Sequence, residues 1–399
     1  MIIKALSVKN FRNIQNADFL FSPKTNIISG NNAQGKTNLM ESLAVAVEKS
    51  FRTNRAADML ANISIPKNDR SDISDISDNE GSNAKKPKCE IKAEFIVDKY
   101  LDKINDLTCS ITGKGILRRI NGVNYKDALQ LYPQLKIIIF VPEDLYLIKG
   151  DPQGRRELLD DTADMMNKMH SAITANYNKA LKQKNTFLSS CEGQTALSSS
   201  QKIQIDVWNE ELAKAGVNVL CGRLKYFEAL SKYTCEYYSE LNNKGEVLTM
   251  SYNHTVYSDQ ELDLTDTDRL LRLYLEKSDR YLQKELIVGH TLIGVHRDDA
   301  GFFINGRNAK DFGSQGQIRS IAVALRLAQA KMFSEKWQEQ PVIILDDVLS
   351  ELDEYRRSFI LQHIVNSQVF ITGCNNNDFA ELGNSRLWVA KDGSFSEVV

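Results

Sequence analysis

Long apolar runs, clustered metal-ligand residues and an excess of one charge are all missing from this 399-residue sequence. No run approaches the roughly 18–20 apolar residues that a membrane span requires, so no membrane partner is expected. The six cysteines contain no C-x-x-C pair and the histidines are not clustered, which disfavours a zinc site and a disulfide framework. The first residues, Met-Ile-Ile-Lys-Ala-Leu-Ser, alternate like a strand rather than a signal peptide, and we expect a cytoplasmic protein.

The overall charge neither indicates nor excludes a nucleic-acid partner. The net charge is −2 and the pI is near 6.3. Binding to DNA phosphates depends on local Lys and Arg, so a basic face can exist in a nearly neutral chain. With 42% apolar and 26% charged residues the composition is ordinary for a globular protein, and the length predicts two or three packed units.

The first part of the chain has the pattern of strands with one polar interruption. Strands are predicted at residues 2–8, 25–29, 90–97, 108–112 and 135–141, with a tight hairpin turn at Asn121-Gly122. Residues 66–88 are polar and repetitive. Because that composition cannot bury enough apolar surface to order itself, these residues are predicted to form a loop insertion.

The middle of the chain changes to long helical patterns with very little proline or glycine. Helices are predicted at residues 157–188 and 204–241, with a short strand near residues 247–252. The apolar spacing is too short and too irregular for an extended heptad coiled coil. Residues 151–285 are therefore predicted to form a compact helical arm.

The last part of the chain returns to alternating strands and helices. Strands are predicted at residues 291–295, 342–345 and 368–372, with a helix at 315–333 and a second turn at Asn305-Gly306. This order completes a parallel sheet far along the chain from the glycine loop that such a sheet should contain. We therefore predict an α/β head, residues 1–150 and 286–399, which both ends of the chain assemble and into which the arm is inserted.

The glycine loop follows the strand predicted at residues 25–29 and opens a helix. It reads Gly30-Asn31-Asn32-Ala33-Gln34-Gly35-Lys36-Thr37-Asn38 and fits the phosphate-loop pattern G-x-x-x-x-G-K-[ST]. Such glycines let backbone N–H groups wrap phosphates at the positive end of a helix. Lys36 would neutralise the β- and γ-phosphates of ATP, and the Thr37 hydroxyl would bind Mg²⁺. The alternative, an ordinary strand-to-helix turn, is disfavoured by this context.

A second candidate element is the apolar strand at residues 342–345, which ends in Asp346 and Asp347. Beside a phosphate loop, Asp346 would bind Mg²⁺ and Asp347 would polarise the attacking water, so the candidate catalytic residues are Lys36, Asp346 and Asp347. Taken alone, the two carboxylates could also be a solvated acidic turn at the end of a buried strand. The strand at 368–372 ends in Thr372, with no histidine where transporter ATPases carry one to sense the γ-phosphate, and Thr372 is a candidate to take that place.

A Ser-Gln-Gly-Gln sequence at residues 314–317 precedes the carboxylate strand. Alone it is typical of a helix cap. The order of phosphate loop, Ser-x-Gly-Gln, Asp-Asp strand and Ser-Glu-Leu-Asp at 350–353 is, however, that of ABC-type ATPases. In that architecture Ser314, Gly316 and Gln317 meet the γ-phosphate that a second copy binds. ATP would then join two copies as a homodimer, and hydrolysis would release them.

Longer motifs resemble the RecF family over nearly the whole chain. They lie at residues 10–13 (Asn-Phe-Arg-Asn), 32–41, 49–53, 142–145, 149–150, 155–156, 159–160, 294–299 and 345–353. By this resemblance Arg12 is either a nucleotide contact or a surface charge. Glu143 stands where related ATPases often have a metal-sensing glutamine, and joins Thr37 and Asp346 as a candidate metal ligand. Residues 296–299 form either a salt-bridge cluster or a structural element close to the nucleotide.

The resemblance also implies a function, a slow ATPase that acts as a switch in recombinational DNA repair. ATP and Mg²⁺ would close the dimer on double-stranded DNA near junctions with single-stranded gaps, and the protein would help RecO and RecR to load RecA. Basic residues that could line a DNA-facing surface are Lys49, Arg52, Arg55, Lys114, Arg118 and Arg119. The alternatives are a DNA-binding scaffold with negligible turnover, a transporter subunit and a chromosome-organising head, which would need a far longer coiled coil.

Overall fold

The computed structural model describes residues 1–53, 55–60, 88–97, 103–125, 132–194, 196–242, 245–257, 262–373 and 385–398. The insertion predicted at residues 66–88 lies outside the described residues, apart from Lys88. Two compact units are present: residues 1–142 with 333–399 form the first, and residues 143–332 form the second. The second unit thus contains the predicted arm together with residues 143–150 and 286–332, which were predicted to belong to the head. Within the described residues, no helix is long and apolar enough to cross a membrane.

The secondary structure has the following bounds. The strands are β1 Ile2–Phe11, β2 Ile14–Leu20, β3 Thr25–Ser29, β4 Cys89–Ile96, β5 Asn105–Thr112, β6 Gly115–Ile120, β7 Val123–Asn124, β8 Ile137–Phe140, β9 Leu248–Asn253, β10 Asp299–Ile304, β11 Arg307–Asn308, β12 Val342–Leu345, β13 Val369–Gly373, β14 Ser385–Lys391 and β15 Ser394–Val398. The α-helices are α1 Lys36–Val47, α2 Tyr146–Lys149, α3 Pro152–Met166, α4 His170–Ser190, α5 Ser199–Leu241, α6 Thr267–Val288, α7 Ala309–Phe312, α8 Gln315–Trp337 and α9 Glu354–His363. Short 3-10 turns lie at Ala56–Met59, Pro142–Leu145 and Leu349–Glu351.

The first unit contains two sheets that draw on both ends of the chain. One is antiparallel, in the order β2-β1-β4-β5-β6-β7. The other, β15-β14-β3-β13-β12-β8, is parallel except for β15 and places β3 between two C-terminal strands. Gln368 ties the two ends together, because its Oε1 accepts from the Ile3 N–H at 2.7 Å and its Nε2 donates to the Ile3 carbonyl at 2.8 Å. The head is therefore assembled from both ends, as predicted.

The core of the first unit lies against these sheets and α1. All four residues of β12 are buried, as expected for a central parallel strand. Leu39 and Leu43 of α1 are fully buried, and burying such a side chain contributes about 1.5–3 kcal/mol. Phe19 packs edge-on against Trp388 at a centroid distance of 4.9 Å, which brings an N-terminal and a C-terminal strand together.

The second unit contains the long helices and the small sheet β11-β10-β9. Helices α4, α5 and α6 pack around a core that includes Tyr177, Leu220 and Tyr274. Gly216 of α5 permits this packing, since a Cβ there would lie 2.9 Å from Cε2 of Tyr274. The strand predicted near residues 247–252 is present as β9.

Both predicted Asn-Gly turns are confirmed. Asn121 and Gly122 have φ values of 50° and 79°, and Asn305 and Gly306 have 48° and 77°. Two positive φ values in succession are those of the two-residue hairpin turn that Asn-Gly favours.

Two predicted elements were wrong. The helix expected at residues 157–188 is two helices, α3 and α4, separated at Asn167, whose φ of −147° is extended. Residues 291–295 form irregular backbone that leads into a turn rather than a strand, and side chains bind two of their backbone N–H groups. Thr291 N donates to Asn185 Oδ1 at 2.8 Å, and Gly294 N donates to Thr255 Oγ1 at 3.0 Å.

Candidate nucleotide-binding site

The phosphate loop at residues 30–37 joins β3 to α1. Helix α1 begins at Lys36, and its cap residue Gly35 has a φ of 106°. Gly35 offers no side chain to the N–H groups of the first turn, which leaves that role to an anionic ligand. The Lys36 ammonium donates to the carbonyl oxygens of Gly30 at 2.6 Å and Asn31 at 3.1 Å, so it is held inside the loop.

The first glycine of the loop is required by a close approach of backbone. A Cβ on Gly30 would lie 2.6 Å from the carbonyl oxygen of Ala390, and the φ of Gly30 is +148°. Any other residue there would displace the loop or the strand beside it.

The end of β12 places a carboxylate beside the loop. Asp346 is 4% exposed, and its Oδ1 accepts from the Thr37 hydroxyl at 3.2 Å and from the Thr372 hydroxyl at 2.7 Å. Hydroxyl and carboxylate oxygens suit Mg²⁺, which completes its shell with waters and phosphate oxygens rather than with a full set of protein ligands. Thr37 and Asp346 therefore fit the magnesium ion that the sequence implied.

Thr372, the candidate to stand in place of the transporter histidine, also lies at this site. Its hydroxyl donates to Asp346 and accepts from the backbone N–H of Asp347 at 2.9 Å. Thr372 is 2% exposed and lies near the end of β13, the strand between β3 and β12. Its position at the carboxyl end of a parallel strand is the signal that could have identified it.

Arg12 contacts the helix that follows the loop rather than standing free on the surface. Its φ is 48°, and its guanidinium donates to both carboxylate oxygens of Glu41 in α1, with Nη2 at 2.7 Å from Oε1. Ser50 also donates to Glu41, and Arg52 Nη1 lies 3.7 Å from it. The role of Glu41 could not be recognised from the sequence, because a glutamate in a helix is ordinarily exposed to solvent.

The other loop residues divide into exposed and anchored ones. Asn31, Asn32 and Ala33 are exposed, whereas the Asn38 amide donates to Asn13 Oδ1 at 2.7 Å and accepts from Arg52 at 2.9 Å. Gln34 is anchored by hydrogen bonds from the C-terminal hairpin.

The Ser-Gln-Gly-Gln sequence belongs to the second unit and begins helix α8. Ser314 N donates to Gln317 Oε1 at 2.7 Å and Gln317 N donates to Ser314 Oγ at 3.3 Å, which is a capping box. Ser314 is exposed. Gln317 also donates to Glu246 at 2.9 Å, and Gly316 lies in the first turn of the helix.

Glu143 also belongs to the second unit and is exposed. Its neighbour Asp144 is buried and accepts from Arg326 of α8, with Nη2 at 2.5 Å from Oδ1. The structure thus brings the loop, Thr37 and Asp346 together, and Asp347 follows Asp346 in the same first unit.

Residues 296–299 lie in a polar network inside the second unit. Asp298 is 1% exposed and accepts from the Tyr252 hydroxyl and the Thr255 N–H, both at 2.9 Å. Burial raises the pKa of Asp298 despite these donors. Asp299 pairs with Arg155, whose Nε lies 2.6 Å from Oδ1.

Comparison with known proteins finds a family and relatives that match nearly the whole length of this chain. The RecF/RecN/SMC N terminal domain family matches residues 2–393. The protein named "DNA replication and repair protein RecF" of Ligilactobacillus salivarius is 31% identical over 100% of this chain and 98% of its own length. The chain belongs to the RecF family. The RecF protein of Listeria monocytogenes serotype 4b is 33% identical over 93% of this chain and 92% of its own.

A solved RecF structure has the same fold. It is described as the recombination mediator protein RecF-ATP in the RecFOR pathway and has a TM-score of 0.84 at 24% identity, with 100% of this chain and 98% of that chain covered. This likeness confirms the α/β head with an inserted helical arm that the sequence predicted.

Proposed function

We propose that this RecF-family chain is an ATP- and Mg²⁺-dependent switch that binds double-stranded DNA in recombinational repair. The observation that supports it most directly is the meeting of Thr37 and Asp346, 309 residues apart in sequence, beside the Lys36 loop. This is the arrangement that phosphate-loop ATPases need to hold a metal against bound phosphates. The names of the curated relatives support the assignment to DNA replication and repair.

The candidate residues of the phosphate loop and of the carboxylate strand each have a proposed part in ATP hydrolysis. Lys36 exchanges the carbonyl oxygens of its own loop for the β- and γ-phosphates, and the loop N–H groups bind phosphate oxygens. Thr37 and Asp346 hold Mg²⁺, with Glu143 as a further candidate ligand. Asp347 orients the attacking water. Bound Mg²⁺ supplies neutralisation of the charge that develops on the phosphates.

Two copies would complete each ATP site. Ser314 is exposed at the start of α8, so its hydroxyl and the helix N–H groups can bind the γ-phosphate held by a second copy. Gly316 allows close approach there, and Gln317 holds Ser314 in place. ATP therefore favours the dimer, and slow hydrolysis ends it.

The finer features rest on the family resemblance. The dimer would close on double-stranded DNA near junctions with single-stranded gaps and act with RecO and RecR in loading RecA. Arg12 and Asn38 border the phosphate loop and are the proposed additional nucleotide contacts. Of the six basic residues considered for DNA, Arg118 is half-buried and donates to the Val45 carbonyl at 2.7 Å, which favours a structural part for it.

The test is the mass of the protein in solution with and without ATP and Mg²⁺, for the wild type and Ser314→Arg. Ser198→Arg is a matched control, because Ser198 forms the same capping box with Gln201 at the start of α5, at 2.9 and 3.3 Å. Each variant loses a cap of about 1 kcal/mol. We expect an ATP-dependent dimer in the wild type and Ser198→Arg, and a monomer that still binds ATP in Ser314→Arg.

Other outcomes would contradict parts of the proposal. A wild type that stays monomeric at saturating ATP, even with DNA present, would contradict the dimer switch and leave only an ATP-binding protein. A dimer that binds DNA but releases no phosphate over hours would favour the scaffold with negligible turnover.

A further inference from the structure

Two hairpin turns, one from each end of the chain, contact the phosphate loop. The turn between β14 and β15 consists of Asp392 and Gly393. Its two backbone N–H groups both bind Gln34, the residue before Gly35. Asp392 N donates to Gln34 Oε1 at 2.6 Å, and Gly393 N donates to the Gln34 carbonyl at 3.0 Å.

The second contact comes from the turn between β1 and β2. Asn13 in this turn accepts from the Asn38 amide at 2.7 Å. A Cβ on Gly35 would lie 2.9 Å from Asn13 Nδ2, so this turn packs directly against the loop. The loop is therefore held from both sides of Lys36, at Gln34 and at Asn38.

The two turns also touch each other, and a glycine makes this possible. A Cβ on Gly393 would lie 2.3 Å from the carbonyl oxygen of Asn13, closer than any real Cβ lies to backbone. Gly122 has the same turn conformation, with a φ of 79° against 77°, but no described atom lies within 4 Å of its Cβ position. Gly393 is thus required by packing as well as by its φ.

The sheet fixes where the C-terminal turn stands. Strand β14 pairs in parallel with β3, the strand that enters the loop, and Val389 lies opposite Ser29. One residue further along each strand, Gly30 approaches the Ala390 carbonyl. A parallel ladder sets this register, so the turn and the loop are held side by side where the two strands end.

We propose that the C-terminal hairpin is a brace that holds the phosphate loop in its phosphate-binding conformation, with Gln34 and Gly393 as positioning residues. A loop already ordered in the free protein pays less conformational entropy when nucleotide binds. Without the brace, only part of the population would have a competent loop, and the apparent affinity would fall by that fraction. This inference rests on the proposed ATP site.

The test compares Gly393→Ala with Gly122→Ala, which introduces the same methyl group at the same φ in the same unit. ATP affinity is measured by titration calorimetry with Mg²⁺, and folding by the thermal midpoint. Gly393→Ala displaces the turn whose two N–H groups bind Gln34. We expect its affinity to fall about tenfold, while Gly122→Ala binds ATP like the wild type although both lose thermal stability.

Gln34→Leu removes only the side-chain acceptor of this contact. It is the variant that tests the brace if Gly393→Ala fails to fold. We expect Gln34→Leu to lower the ATP affinity severalfold. In the double variant Gln34→Leu, Gly393→Ala the loss should be clearly smaller than the two single losses combined, because both changes break the same contact between the hairpin and the loop. Unchanged affinity in Gln34→Leu, or equal affinity in the two glycine variants, would overturn the brace while leaving the ATP site intact. If the wild type itself binds no ATP, the proposed function fails instead.

Discussion

Glu41 of α1 is buried, and replacing it tests how the side chains next to the phosphate loop are held in place. The Glu41 side chain is 0% exposed and receives two hydrogen bonds from Arg12 and one from Ser50, with Arg52 nearby. Glu41→Gln keeps the shape but removes the charge, and it turns an N–H donor toward groups that are themselves donors. The change therefore breaks the cluster without creating a cavity.

The magnitude follows from burial. Removing one partner of a fully buried ion pair costs about 3–5 kcal/mol, because the other charge is left without compensation. The Arg12 side chain is 19% exposed and can recover part of its hydration. We therefore expect Glu41→Gln to lower the free energy of unfolding by about 2–3 kcal/mol.

Urea unfolding followed by tryptophan fluorescence measures this, since Trp388 is buried in the same core. Glu90→Gln is the matched control, because Glu90 pairs with Lys88 in the same unit at 2.6 Å but with side chains 38% and 51% exposed. Such surface pairs contribute about 0–1 kcal/mol. A Glu41→Gln variant no less stable than Glu90→Gln would refute the claim that burial makes this cluster structural.

Three further predictions follow from other contacts. Lys184 pairs with Glu285 at 2.8 Å with both side chains at most 1% exposed, so Lys184→Met should cost about 3–5 kcal/mol in urea unfolding. Burial lowers the pKa of His296 to about 4, below the ~6.5 of an unfolded chain. The stability due to its neutral form is complete above pH 6.5 and is lost as the pH falls toward 4, by roughly 2–3 kcal/mol. His296→Gln, whose amide can still form a hydrogen bond with the Tyr177 hydroxyl, should flatten that fall in unfolding measured from pH 7 to 4.5. Thr372→Val keeps the side-chain volume but removes both hydrogen bonds at the end of β12. It should lower the rate of phosphate release about tenfold or more, with ATP affinity nearly unchanged. Thr372→Ser, which keeps the hydroxyl, should restore that rate.

The parts of the site that could be predicted are those formed by residues adjacent in sequence. The phosphate loop needs its glycines, Lys36 and Thr37 at fixed spacing between a strand and a helix, so one short segment carries the whole pattern. The Asn-Gly turns are likewise local, because the φ preference of two residues determines them. The order of later motifs then identified the α/β head.

The parts that could not be predicted depend on contacts between distant residues. Gln34 and Asp392 are 358 residues apart, and no periodicity indicates that they meet. The segment 291–295 was wrongly assigned to a strand because its apolar pattern says nothing about backbone partners. Those partners are side chains such as Asn185 and Thr255, which only the folded second unit brings together.

The two aspartates at the end of β12 are adjacent in sequence but are held differently. This difference supports the different functions proposed for them, metal binding for the first and orientation of the attacking water for the second. Asp346 is buried and accepts hydrogen bonds from two hydroxyls, and carboxylates that bind metal ions are commonly held by such bonds. Asp347 is less buried and has a φ of 55°, a conformation that aspartate tolerates better than most residues. Asp347 lies outside the extended strand, so the regular alternation of side chains between the two faces of the sheet stops before it. Because the single Thr372 hydroxyl bonds the side chain of one aspartate and the backbone of the next, a displacement of either is transmitted to the other. A metal ligand and a water-orienting group that must act on the same phosphate gain from being linked in this way.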